Sequence, residues 1–279
     1  MSAEYSLHEL CAAFEVSRSG YQAWARRAPS LRSQADAHWL DLLRQGHRES
    51  RQTYGRPRLQ HWLQARGHRC GHTRLWRLLP QAGLSQRRRR RYRPVSLTDS
   101  HHDLPVSPNR LLGQSQPLRS DAVWVADIPD VETDEGWLYV AGVLDRCTRR
   151  CIGWAMSDSL ATTLPMTALD MALTHRRPPP GLLHHSDRGV QYASQNYRQR
   201  RFPAGVIPSM SRRGNGYDNA AMESFWSSLK RDLIHRTHFA TRAAARAAIF
   251  EWIEVFYNRE RLHSALGYKS PVDFETQLN

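Results

Sequence analysis

Ala122-Val-Trp-Val-Ala-Asp-Ile128 is the stretch on which the reading of the second half of the chain turns. Five apolar or small residues lead into one acid, the composition of a buried strand. An acid such as Asp127 facing a sheet surface is expensive unless something compensates it. Outward from there, Glu132 to Gly136 reads as a turn and Trp137-Leu-Tyr-Val-Ala-Gly-Val-Leu144 as a second strand. Arg149 to Met156 reads as a third, and the short connections make all three antiparallel neighbours. Leu164, Ala168, Met171 and Ala172 then recur at helical spacing within 160–175. Gly181 to Ser186 is a fourth strand, and its helical crossover makes it parallel to its partner. A helix near 194–202, a short strand at 205–209, and helices at 217–234 and 241–257 follow.

The resulting order, β-β-β-α-β-α-β-α, is that of a ribonuclease-H-like α/β core, with a mixed five-stranded sheet and flanking helices. Upstream the period changes to helical throughout. Leu7, Leu10, Cys11 and Phe14, continued by Tyr21 and Trp24, line two short helices within 5–27. Leu59, Trp62 and Leu63, then Leu75, Leu78 and Leu79, line two more within 51–84, with a glycine-containing break at 67–71. Helix pairs joined in this way fit helix-turn-helix units as well as ordinary helical hairpins. Residues 1–93 are therefore expected to be an all-α DNA-binding region and the proline-dotted stretch 94–120 a linker. Residues 121–279 are expected to be the ribonuclease-H-like core with a C-terminal helical extension.

Charge favours nucleic acid over other partners. The net charge is +14, and residues 51–100 carry 13 Arg against the single acid Asp99, whereas residues 1–50 balance six against six. Arg87, Arg88, Arg89, Arg90, Arg91 and Arg93 form a basic arm after the second helix pair, and a solvated charge tail is the alternative reading. No run of 18 uncharged apolar residues exists, so no membrane span is expected and the protein is placed in the cytoplasm. The four cysteines form no CxxC pair and read as reduced thiols, and His68, Cys70 and His72 lack the second pair that a zinc site needs.

Three carboxylates fall at informative places in this order. Asp127 lies in the first strand, Asp187 at the end of the fourth in Leu182-Leu-His-His-Ser-Asp-Arg-Gly-Val-Gln-Tyr192, and Glu223 on the helix after Gly216-Tyr-Asp-Asn219. Asn219, Glu223, Ser227 and Lys230 share one face of that helix. Taken singly, a strand-end Asp is usually a turn residue and a helix-surface Glu usually solvated. Together they suit phosphodiester chemistry, in which two Mg²⁺ ions about 3.5–4 Å apart serve the attacking and leaving oxygens. Magnesium takes hard oxygen ligands, which leaves His184 and His185 as neighbours that position the loop or touch DNA.

With these residues in place, the chain resembles the DDE transposases of the third insertion-sequence family. Trp124-x-x-Asp127-Ile128, His185-Ser-Asp187-Arg-Gly189-x-Gln-Tyr192 and the block from Ser209 through Glu223-Ser-Phe resemble its catalytic motifs. Tyr257-Asn-Arg-x-Arg261-x-His263-Ser-x-Leu-Gly-Tyr268 resembles its C-terminal signature, and 35 residues separate Asp187 from Glu223, as in retroviral integrases. The resemblance implies Asp127, Asp187 and Glu223 as catalytic metal ligands for two Mg²⁺ ions, with Mn²⁺ possible. It also implies DNA contacts by Lys230, Arg188 and Asn219, and a homo-oligomer on terminal-repeat and target DNA in the bacterial nucleoid. The active form would be a frameshifted fusion with an upstream reading frame. Pro129, Asp130, Pro80, Pro203 and Asp232 depart from the family pattern. They raise the alternative of a decaying copy that only binds DNA; a nuclease of the same fold that never joins strands is a second alternative.

Overall fold

The computed structural model describes residues 5–84, 102–201, 204–212 and 216–278. The arginine arm at 87–93 and Pro203 lie outside them. The chain divides into two compact units, Met1–Arg87 and Arg88–Asn279.

The first unit is helical: α1 (Leu7–Ala13), α2 (Arg18–Arg26), α3 (Leu31–Glu49), α4 (Arg56–Ala65) and α5 (His72–Gln81). Ser6, Ser17 and Ser30 each cap the helix that follows by accepting a backbone N–H, with Ser6 and Glu9 forming a reciprocal capping box. The α4–α5 stripe Leu59, Trp62, Leu63, Leu75, Leu78 and Leu79 is buried with Leu43 of α3. Asp36 of α3 receives Arg77 at 2.7 Å. Sequence periodicity missed α3, because over 19 residues it buries only Asp36, Leu43 and Gly46. The face drawn through α1 and α2 forms as helices, but only Cys11 of it is buried, and Phe14 and Trp24 stay exposed. Pro80 sits on the exposed side of the last turn of α5, where it leaves the buried stripe intact.

In the second unit the strands are β1 (Val123–Asp127), β2 (Asp130–Thr133), β3 (Gly136–Asp145), β4 (Cys151–Ser157), β5 (Leu183–Ser186) and β6 (Ile207–Met210). Helices α6 (Thr163–Arg176), α7 (Val190–Ala193) and α8 (Gln195–Arg201) punctuate them, and α9 (Ala220–Asp232), α10 (Arg242–Glu251) and α11 (Pro271–Thr276) follow. Tyr139 of β3 pairs with Asp130 and with Ser157, while Gly142 pairs with Asp127 and with Trp154. One edge of β3 therefore carries β4, and the other carries β1 and β2 in succession. Six segments occupy five strand positions, with β1 parallel to β5 and β5 parallel to β6. The expected turn at 132–136 narrows to Asp134-Glu135 between Thr133 and Gly136, and an unexpected strand, Asp130–Thr133, precedes it after a break at Ile128-Pro129, where proline has no N–H to give the ladder.

Trp124, Ala126, Ala141, Val143 and Ile152 face α6 and α8 in one apolar cluster with Leu164, Ala168, Leu169, Ala172 and Tyr197. Asp127, one residue on from Ala126, points to the opposite side, as strand alternation requires. There α9 lies on the sheet, backed by Phe225, whose ring meets Trp252 at 5.6 Å and Tyr257 at 4.6 Å between centroids. Trp252–Tyr257 continue α10 as a π-helical turn.

The chain after it is fastened by polar ties. Asn258 receives Cys151 N–H at 3.0 Å and donates to Cys151 O at 2.9 Å. Arg261 and Asp232 form an ion pair of 2.7 Å with side chains 1% and 2% exposed. The Asp232 departure thus has its own partner. Helix α6 reaches β4 because Gly153 carries no side chain: a Cβ there would stand 2.2 Å from Ala168 O and 2.8 Å from Ala172 Cβ. Gly153→Ala should destabilise the protein by about 2–4 kcal/mol in urea unfolding, since backbone must move to admit the methyl group. A variant as stable as the parent would show that α6 does not sit on β4 in this way.

Candidate catalytic site

Two strands and one helix bring the sequence-predicted acids to the same end of the sheet. The β1–β5 register is Val123 to Leu183, Trp124 to His184 and Val125 to His185. Continued by two residues, it puts Asp187 at the height of Asp127, one strand spacing of about 4.8 Å away. Asp187 leaves β5 in a turn closed by Gly189 N–H donating to its carboxylate at 2.9 Å. Glu223 stands one turn into α9, exposed, on the helix that covers Asp127.

The seating of α9 depends on Gly142, the β3 partner of Asp127. A Cβ at Gly142 would lie 2.8 Å from Met222 Cε and 2.8 Å from Trp226 Cζ2, so these side chains rest directly on the strand backbone. Sequence reasoning did not mark Gly142, although a glycine inside a strand signals close approach of another element.

Electrostatics identify the cluster. The Asp127 carboxyl is pushed up to about 7 from an ordinary 3.8, first by burial, then by Asp187 and Glu223, with Lys230 opposing. Its edge remains partly exposed, yet protein surrounds it closely enough that burial dominates. Asp187, Glu223 and Lys230 therefore all act on Asp127. Asp145 supplies the contrast. It too is buried, but it accepts N–H bonds from Asp121, Cys147 and Thr148 at 2.6–2.9 Å, and it organises the β3–β4 turn. Among the described residues no three His, Cys, Asp or Glu side chains close into a metal-binding cage. The site nonetheless fits Mg²⁺, which keeps several waters and takes one or two carboxylates per ion.

Other expectations are redistributed. His184 and His185 are both fully buried, so neither touches DNA. The His185 ring bonds Ser209 Oγ at 2.8 Å and Ser211 Oγ at 2.9 Å, fixing β5 to the end of β6, and burial lowers its pKa to about 4. His184 packs against Tyr197 on the other face. Arg188 is half-buried and donates from Nε to Ser211 O at 2.7 Å. Asn219 is corrected as a DNA contact: its side chain is buried and donates to Ala126 O at 3.1 Å. The described part of the proline-dotted stretch, 102–120, belongs to this unit and is tied to the site's strands and turns. His102 meets Arg188 O at 2.7 Å, Arg110 N–H donates to Ser209 Oγ at 2.9 Å, and Asn109 donates to Asp218 at 2.8 Å.

An acid held above its ordinary pKa weakens the fold as pH rises. The cost is absent below about pH 4, grows through the interval and is complete above about pH 7. Asp127→Asn should accordingly stabilise the metal-free protein at pH 8 by about 1–3 kcal/mol and leave it unchanged at pH 4. Denaturant midpoints at the two pH values measure this, and a loss of stability at pH 8 would contradict the crowding of acids described above.

Comparison with known proteins agrees with this architecture. The HTH-like domain family matches residues 34–92, and integrase core domain families match residues 117–216 and 204–271. The uncharacterized 31 kDa protein of insertion element IS600 from Shigella sonnei is 44% identical over 270 residues, 97% of this chain and 98% of that protein. Transposase InsF for insertion sequence IS3A from Escherichia coli strain K12 is 39% identical over 277 residues, 99% and 96% of the two chains. Among solved structures, a chain of the simian T-cell lymphotropic virus intasome in complex with PP2A regulatory subunit B56 gamma aligns with a TM-score of 0.48 at 14% identity. It covers 64% of this chain and 60% of that one. With relatives matched nearly end to end and both domain types in the same order, the chain belongs to the IS3 family of insertion-sequence transposases.

Proposed function

We propose that Asp127, Asp187 and Glu223 hold two Mg²⁺ ions, replaceable by Mn²⁺, and that this site cuts and joins DNA at the ends of an insertion element. The observation that supports it is the crowding of Asp187 and Glu223 on the buried Asp127, which the Ile128 N–H and Lys230 offset only in part. Divalent cations relieve such crowding, and an all-oxygen set selects a hard ion. His184 and His185, engaged in the core, leave that set free of nitrogen.

When bound, the two ions activate the attacking oxygen and stabilise the leaving one. Asp127, which feels both other acids, would hold the ions together with Asp187 and Glu223, all through carboxylate oxygens. In the first step water attacks the phosphodiester at the element end, forming a P–O bond and releasing the 3′-hydroxyl of the element. In the second that hydroxyl attacks a target phosphodiester, and the target strand's own 3′-hydroxyl departs. Lys230, about two turns along α9 from Glu223, and Arg188, beside Asp187, bind phosphates flanking the reacting one. Residues 1–93, with the arginines at 87–91 and 93, grip the terminal repeats, and copies of the chain assemble on the two ends. The protein works in the cytoplasm, on the nucleoid.

Purified protein, terminal-repeat DNA and Mg²⁺ test this. Asp187→Asn should lower strand joining by roughly 10²–10³-fold or more while DNA binding persists, and EDTA should abolish joining until Mg²⁺ or Mn²⁺ is restored. Joined products that survive Asp187→Asn would rule out this site, and cuts without joining would favour a nuclease.

A further inference from the structure

Asn219 stands at the N-cap of α9, a position where Asn is among the residues preferred for capping the helix, yet its side chain makes no cap bond. Its amide instead crosses to the sheet and donates to Ala126 O at 3.1 Å. Ala126 is the residue before Asp127, and Glu223 is one helical turn after Asn219. This bond therefore joins the backbone that carries one acid to the helix that carries another. We infer that Asn219 is a positioning residue, which sets the separation of Glu223 from Asp127 and so the affinity of the site for its divalent ions. The inference rests on the metal reading given above.

Two further features hold the same helix end. Below α9, the absent side chain of Gly142 lets Met222 and Trp226 reach the backbone of β3. Ahead of α9, Asp218 receives Asn109 Nδ2 at 2.8 Å and Arg212 N at 2.9 Å, closing the segment that leads into the helix. Asn219 is the member of this set that reaches β1 itself. An amide suits the task better than a carboxylate, because a carbonyl oxygen needs a donor and a second charge beside Asp127 would add to the repulsion. Burial takes the side chain away from solvent, so a base-reading or phosphate-binding role has no surface to use.

The test is made on the full chain, with Mn²⁺ titrated in the absence of DNA and strand transfer measured separately. Asn219→Ala should weaken Mn²⁺ binding about tenfold and lower kcat, with KM for terminal-repeat DNA within twofold of the parent. Asn219→Asp, which keeps the shape but loses the donor, should do no better. Gly142→Ala, which lifts the same helix from the sheet side, should reproduce the signature and serves if Asn219→Ala fails to fold. A higher KM with unchanged Mn²⁺ affinity would overturn the inference in favour of a DNA contact. A lower melting temperature with unchanged Mn²⁺ affinity would overturn it in favour of a purely structural bond, and no change in any quantity would overturn it outright. Failure of the parent protein itself to bind Mn²⁺ is a separate result, which removes the metal reading first.

Discussion

Carboxylates repel one another most strongly where water is scarce, and the second unit holds three of them against that repulsion. Asp127 is displaced to about 7 by burial and by its two acidic neighbours. Left to itself, such a cluster would spread or take up protons. The surrounding contacts restrain it on every side: the parallel β1–β5 register for Asp187, the Gly142 seat and the Asn219 amide for α9, and the His185 bridge between β5 and Ser209 and Ser211. A site so arranged stores unfavourable energy while its acids are ionised, the usual trade of stability for function.

Polar ties carry the load around that site because apolar packing cannot fix a carboxylate's position. Asp232 and Arg261 illustrate the point at the far end of α9. Their buried pair fixes the helix to the segment that follows the π-helical turn, and Asn258 fixes that segment to β4. Breaking one member of such a pair leaves a charge in the interior, whereas replacing both with apolar residues costs far less. The C-terminal signature from Tyr257 through His263 thus acts on the helix that bears Glu223, at a distance along the chain that conceals the connection.

The strands were legible because β1, β3 and β4 alternate or run apolar between clear turns, and the acids stood out because nothing in a strand interior asks for Asp127. Segment β2 was not, since Asp130-Val-Glu-Thr133 is too short and too polar to announce itself beside a proline. Helix α3 was hidden by a nearly polar surface, and the α1–α2 face showed helical spacing without revealing that it stays exposed. Asn219 was misread for a definite reason. Helical periodicity puts it on the face of Glu223, but the acceptor that buries it is a backbone carbonyl 93 residues away, which leaves no mark in the sequence. The serine partners of His185 were illegible for the same reason, whereas Gly142 carried a readable sign, a glycine inside a strand.

Manganese anomalous diffraction from crystals of the full chain tests the central claim most directly, because it locates the ions without reference to activity. The account predicts Mn²⁺ peaks within bonding distance of oxygens from Asp127, Asp187 and Glu223, with Asp127 shared if two ions bind. Peaks confined to other carboxylates, or none at this end of the sheet while the protein remains folded, would contradict it.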